Sequence, residues 1–526
     1  MTRARPFRGA GTPPVTAPPF RASHPLLFLD YFRVPYELSP ARPDGDGRAI
    51  ERFCGRLWRA AGDRETQETA PTLAWLRADA SDGLPREAAD GQYLVEDVGP
   101  IFCHVVPDAV AGQWLSRSGG EWRPVQSIAD AAGAPVASLW QRADGSLFLP
   151  FDPGEVMRRF WSEGYRTNSA RALVRAYYAL RPALPRPVQI ALRRVFTRVQ
   201  GRAEFPHWPV ETALHDLYEW LFGQLAAFAG CPVPWLDLWP NGHSWALVLT
   251  HDVETADGCR DLRLLRDVEQ RMGFRSSWNF VPLRYRVDDR VLQALTDEGC
   301  EIGVHGVLHD GRDLGSRRML QKRLPTMREY AARWKAVGFR SAATQRVWEW
   351  MPLLGFDYDS SYHDTAPYEP TPGGCCSYLP YFNEGMVELP ITLPQDHTVF
   401  TILQHGDETV WLEKAAHVRS RRGMALMLTH PDYAGDARLV QGYRRLLEAF
   451  EGDETVWRAL PREVSAWWRR RAASTVEETD AGWRVRGPAA ADGSVRFARA
   501  GAATLVADHD RTDRPVGCPV TGPTAG

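Results

Sequence analysis

Leu249-Thr250-His251-Asp252-Val253-Glu254 closes an apolar run that starts at Ala246, and the chain uses the same design twice more. Val304-His305-Gly306-Val307-Leu308-His309 continues from Glu301-Ile302-Gly303, and Leu428-Thr429-His430-Pro431 continues from Met424-Ala425-Leu426-Met427. Each polar cluster is therefore expected at the end of a strand. Together the three supply acidic groups, an H-x3-H pair and a separate histidine, the groups of a metal-assisted hydrolase.

Short apolar runs alternate with helical segments around these clusters. Strands are predicted at 246–249, 277–280, 302–305, 387–389 and 425–429, and helices at 259–272, 288–298, 317–337 and 440–451. Alternation of this kind argues for an α/β unit with a parallel sheet or barrel over residues 241–453. Residues 1–24 read as disordered. Residues 25–178 read as an α+β domain of unknown role, opening with a strand over Leu27-Phe28-Leu29-Asp30-Tyr31-Phe32. It continues with strand-like alternation over 92–106, a hairpin turn at Arg142-Ala143-Asp144-Gly145 and a helix opened by Asp152, and it ends in helix near Tyr178. Residues 179–240 form a proline-rich helical linker. A helix holding Trp467 and Trp468 and a small β-appendage fill 454–510, and 511–526 read as a disordered tail.

The 526 residues carry a formal net charge of −2, so no electrostatic argument points to nucleic acid or an anionic membrane. Eight cysteines are scattered without C-x2-C spacing, against a thiolate zinc site or a disulfide framework. The first residues lack a continuous apolar segment, and no stretch approaches the ~20 apolar residues of a spanning helix. A cytoplasmic protein is the expectation. The oligomeric state is not legible.

Each cluster also has a plainer reading. Two satisfied surface histidines would give the spacing of His305 and His309. Asp252 and Glu254 point the same way at a strand mouth, where one can bind metal while the other takes a proton. One of them could instead cap the next helix, although Asp257 is well placed for that. Arg340, after Gly338-Phe339, would pair with a carboxylate, either in a site or in a salt bridge between domains. His430 ends a buried run and is placed as a general acid or as a satisfied core histidine. Trp278, Trp348, Trp350 and Tyr362 could wall a sugar site, although aromatics are more often core.

Taken in order, these residues resemble the NodB-type polysaccharide deacetylases (family 4 carbohydrate esterases), over roughly Trp239 to Phe450. The T-F-D-D-G motif corresponds to Thr250-His251-Asp252-Val253-Glu254, and the H-x3-H motif to His305 and His309. The arginine motif corresponds to Phe339-Arg340-Ser341 and the leucine–histidine motif to Leu428-Thr429-His430. Val253 stands where many members carry a metal-binding aspartate, and Ala342 where a proline is common. The resemblance implies a distorted (β/α) barrel and a divalent metal, with zinc the expected ion, on Glu254, His305 and His309. It further implies Asp252 as base, oriented by Arg340, and His430 as acid, paired with an aspartate from an intervening strand, for which Asp359 is the candidate. The reaction implied is removal of an acetyl group from an N-acetylated sugar. An amidase acting on a small non-sugar amide, or a sugar-binding or assembly protein with a decayed site, are the other readings; Val253 favours the last.

Overall fold

The computed structural model describes residues 26–38, 50–54, 73–76, 87–117, 120–166, several residues between 191 and 201, and 205–506. The terminal segments read as disordered, and the helix end near Tyr178, lie outside the described residues.

The sheet that matters for function includes the strand Trp245–Val253, next to one end of the strand order and buried at all nine positions. Met424–Thr429 pairs with it on one side and Ser277–Phe280 on the other, both parallel. Beyond Ser277–Phe280 the sheet continues through Glu301–His305, Gly338–Arg340, Tyr358–Asp359 and Met386–Glu388, still parallel, and ends on the antiparallel Tyr381–Asn383. These strands read as near-continuous apolar runs because helices and loops cover their outer faces. Helices Arg263–Met272, Asp289–Asp297, Arg317–Trp334, Thr409–Ser420 and Ala437–Phe450 alternate with them. The sheet curls. Leu393 N–H donates to Leu426 O at 3.0 Å, and Thr392 Oγ1 accepts from Leu426 N at 2.7 Å, which brings the far end back to Met424–Thr429. The carboxyl ends of the strands thus open onto one concave space, where ligand sites of α/β sheets tend to lie.

A second sheet occupies the N-terminal part. Its order is Glu37–Leu38, Ile50–Cys54, Leu73–Leu76, Leu147–Leu149, Pro135–Arg142, Trp122–Asp130, Ala89–Val95 and Gly99–Val105. Leu27–Phe32, expected as a strand, is an α-helix: five of its six residues are buried, and Arg33 ends it in the left-handed region with its N–H on Leu29 O and Asp30 O. So short an apolar run carries no periodicity that separates helix from strand. The helix packs on Tyr218 and Phe222 of Ala213–Ala229. Asp152 caps Pro153–Trp161 as expected.

The segment after the sheet is tied to earlier parts of the chain. Val456–Arg458 pairs with the start of Trp245–Val253, and Val495–Ala498 pairs antiparallel with Val233–Leu236. Between them, the buried Arg471 donates to Tyr31 O, Leu236 O and Asp237 O at 2.7–2.8 Å. No helix among the described residues is long and apolar enough to cross a membrane.

Candidate active site

Alternation along Trp245–Val253 sends Asp252 into the concave space and its neighbours His251 and Val253 outward. His251 is spent on structure. It lies behind the sheet, stacked on Trp278 at 4.1 Å, with Nδ1 2.7 Å from Thr429 Oγ1 and Nε2 2.7 Å from Glu269 Oε1. Asp252 is buried inside, where Asn279 Nδ2 donates to its Oδ1 at 2.8 Å and Arg340 Nη1 approaches the same oxygen at 3.3 Å. Register puts Asn279 beside Asp252 and Gly303 beside Asn279, and only a glycine fits there: a Cβ on Gly303 would stand 2.0 Å from Asn279 Oδ1. Burial pushes the Asp252 carboxyl up. Arg340, then His305 and His430, outweigh that and hold it below the ordinary aspartate range.

Arg340 is fully engaged. Its remaining bonds go to Ser360 O at 2.7 Å, Ser360 Oγ at 2.8 Å and Thr250 Oγ1 at 3.0 Å. The arginine expected to orient Asp252 therefore does touch it, from the end of Gly338–Arg340, a three-residue strand.

Glu254 follows the strand. Its backbone N–H donates to Asp432 Oδ2 at 2.9 Å, so the loop after one strand is fixed by the turn after another. Neither Asp252 nor Glu254 caps the next helix. Thr255 does so, through Gly258 N, in place of the expected Asp257.

His305 ends its strand and is buried, with Nδ1 3.1 Å from Arg340 O. Burial pulls it down to about 4, so the ring is neutral at neutral pH. His309 returns on a tight turn, with Gly306 at φ 65° and His309 itself at φ 53°. Asp313 braces that turn through Val307 N, and Arg323 holds Asp313. A non-glycine residue in the left-handed region is uncommon, and such positions concentrate at functional sites.

One ligand atom each from Glu254, His305 and His309 lie within 4.8 Å of one another. The group fits a metal. His309 Nε2 lies 3.0 Å from Glu254 Oε1, and the buried His305 Nε2, 3.6 Å from Asp252 Oδ2, makes no hydrogen bond among the described residues. Buried polar atoms are rarely left so. Two neutral imidazoles and a carboxylate suit zinc, cobalt, nickel or iron rather than magnesium or calcium.

His430 closes the far side, its Nε2 3.7 Å from Glu254 Oε1. Its partner is Asp396, not Asp359. Asp396 Oδ1 lies 2.6 Å from His430 Nδ1, and its Oδ2 accepts from His430 N at 2.6 Å. Burial alone would lower the imidazole; the Asp396 charge and hydrogen bond, with Glu254 and Asp252, push it up to about 10. Asp359 lies elsewhere because alternation turns it away from Ser360, the residue that meets Arg340. It accepts from Ser361 and adjoins Glu388 across the register. Both carboxyls are raised by burial, Glu388 also by the Asp359 charge.

Asp396 and Asn279 were not foreseen. Asn279 was legible within an expected strand, one residue from its end. Asp396 follows Pro394-Gln395, where only the flanking prolines hinted that an extended segment stops. Of the four aromatic candidates, Trp278 is core behind the sheet and Tyr362 is buried beneath Arg346, while Trp348 and Trp350 are half-buried on the same core.

No family model and no curated protein matches the chain. Solved structures do. A protein described as a polysaccharide deacetylase from Mycobacterium smegmatis is 17% identical, with a TM-score of 0.38 over 44% of this chain and 93% of that one. One so described from Pseudomonas aeruginosa is 16% identical, with a TM-score of 0.36 over 44% and 93%. Puue allantoinase is 14% identical, with a TM-score of 0.37 over 44% and 92%.

Proposed function

We propose that the chain is a metal-dependent hydrolase that removes the acetyl group of an N-acetylated sugar, that residues 241–453 form its catalytic part, and that the curled sheet is a distorted (β/α) barrel. The observation that carries this reading is the convergence of Glu254, His305 and His309 between an arginine-held Asp252 and an aspartate-held His430.

Glu254, His305 and His309 would hold the ion, which when bound supplies a Lewis acid and a water of lowered pKa. Asp252, kept ionised and oriented by Arg340 and Asn279, takes a proton from the attacking water. His430, kept protonated by Asp396, gives a proton to the departing nitrogen. The two groups have been driven in opposite directions, one carboxyl down and one imidazole up, as an acid–base pair requires. Val253 does not weaken the site, because its side chain belongs to the outer core and Glu254 takes up the carboxylate position.

The test is metal content of purified protein beside Glu254→Ala, with acetate release from chitooligosaccharides measured in parallel. We expect about one zinc or similar ion per chain, lost in the variant together with activity. No metal in the wild type after reconstitution would sink the proposal.

A further inference from the structure

Asp396 serves His430 only while its carboxylate is aimed, and the residues on either side of it are held by a carboxylate that the proposed reaction does not use. Glu369, 3% exposed, accepts from Gln395 Nε2 through Oε2 and from Thr398 Oγ1 through Oε1. An ionised carboxylate only accepts, so both donors turn toward one point, one residue before Asp396 and two after it. The backbone there needs the help. His397–Ile402 is a π-helix, with Leu403 N–H donating to Thr398 O at 2.8 Å, and turns of this rare kind gather at functional sites. Asp396 caps it through His397 N at 2.7 Å while the same carboxylate meets His430 through both oxygens. Burying a carboxylate is costly unless it is well paired, yet the one ion pair of Glu369 among the described residues is a distant one, Arg193 Nη2 to Oε2 at 4.0 Å. Arg193 belongs to the linker. Its Nη2 also donates to Tyr368 O at 3.0 Å, and Nη2 of the neighbouring Arg194 donates to Thr401 O at 2.9 Å, inside the π-helix itself.

Building on the proposed function, we propose that Glu369 is a positioning residue that sets Asp396, and through it His430, and that Arg193 and Arg194 extend this brace into the linker. The acid side of the site then depends on residues outside 241–453, whereas Asp252 and the Glu254, His305 and His309 group do not.

The test compares two leaving groups in the full chain. An N-acetylated sugar loses an amine that needs a proton from the acid, whereas p-nitrophenyl acetate loses a phenolate that needs none. Glu369→Ala should lower acetate release from chitooligosaccharides about tenfold more than hydrolysis of p-nitrophenyl acetate, in kcat rather than KM and with metal content retained. Asp396→Asn should show the same selectivity to a larger degree, and Glu369→Gln, which keeps one acceptor, should restore part of the loss. Once Asp396 is Asn, Glu369→Ala should cost nothing further, because the two act as one unit. Arg193→Ala with Arg194→Ala removes only half-buried side chains and should show the selectivity by a smaller factor, which keeps the test open if Glu369→Ala does not fold. Hydrogen exchange, followed on metal-free protein, should quicken over 396–403 in these variants and stay unchanged over 245–253. Equal losses on the two substrates, additive losses with Asp396→Asn, or unmoved exchange would each overturn the inference alone. A wild type that releases no acetate from the sugars would overturn the proposed function and this inference with it.

Discussion

Two of the buried histidine–carboxylate pairs among the described residues are nearly alike at close range and opposite in use. Behind the sheet, His251 meets Glu269 at 2.7 Å; in the concave space, His430 meets Asp396 at 2.6 Å. The difference lies in the second nitrogen. His251 spends it on Thr429, and its carboxylate partner also accepts from Ser276 and Tyr443. His430 and His309 direct theirs toward Glu254 Oε1, at 3.7 and 3.0 Å, and His305 directs its own toward Asp252 Oδ2 at 3.6 Å. Residue type and burial do not separate structural from chemical histidines here. What the second nitrogen faces does, a hydroxyl behind the sheet and a proposed ligand carboxylate in the concave space; the lack of a hydrogen bond alone does not, since buried His215 Nδ1 and His363 Nε2 also have none among the described residues.

The strongest way to break this contrast is through the carboxylates. Asp252→Asn and Asp396→Asn should each lower acetate release by about 10²–10⁴-fold, the range for loss of a general acid or base, while metal content is retained. Asp359→Asn should stay near wild type. Comparable losses from Asp359→Asn and Asp396→Asn would reopen the pairing of His430.

A second test exchanges the two faces. His309→Ala should lose the metal and, with both proteins compared metal-free, keep its unfolding free energy nearly intact. His251→Ala should keep the metal and lose roughly 3 kcal/mol, because Glu269 is left buried without its partner. Denaturant unfolding followed alongside metal analysis reads both.

The smallest effect sharpens the assignment of Asp359. Asp359 and Glu388 bind protons more tightly in the folded chain than carboxyls do in an unfolded one, so their contribution is complete below the ordinary carboxylate range. It is lost as pH rises through their raised values. Their share of the unfolding free energy should therefore fall as pH rises above ~4, so that Glu388→Gln should differ from wild type in its pH slope, with less stability lost on raising the pH. An unchanged slope would mean that the two carboxyls are not sharing a proton.

The fold was legible where strands are long and apolar. Ser277–Phe280 falls where it was expected, and the strands around 246–249, 302–305 and 425–429 differ only at their ends. Gly338–Arg340 and Tyr358–Asp359, three and two residues long and defined by register rather than composition, have no apolar run to mark their bounds, and only the resemblance set Asp359 on a strand. The same cause hid the true partner of His430. A motif names residues at strand ends, but which loop carboxylate reaches a given imidazole depends on how the sheet curls, and Asp396 arrives only because Thr392 and Leu393 bond to Leu426. His251 shows the opposite case: one position from Asp252 in sequence, it is separated from the chemistry by the thickness of the sheet.

The pairing of Val495–Ala498 with Val233–Leu236 sets an order of events in time. A ribosome would finish all the catalytic strands before the strand that completes Val233–Leu236 emerged, and Arg471 would find its three carbonyls only shortly before that. Such distant contacts form late and slowly. Until then Val233–Leu236, the segment leading into Trp245–Val253, lacks the strand that pairs with it in the finished fold.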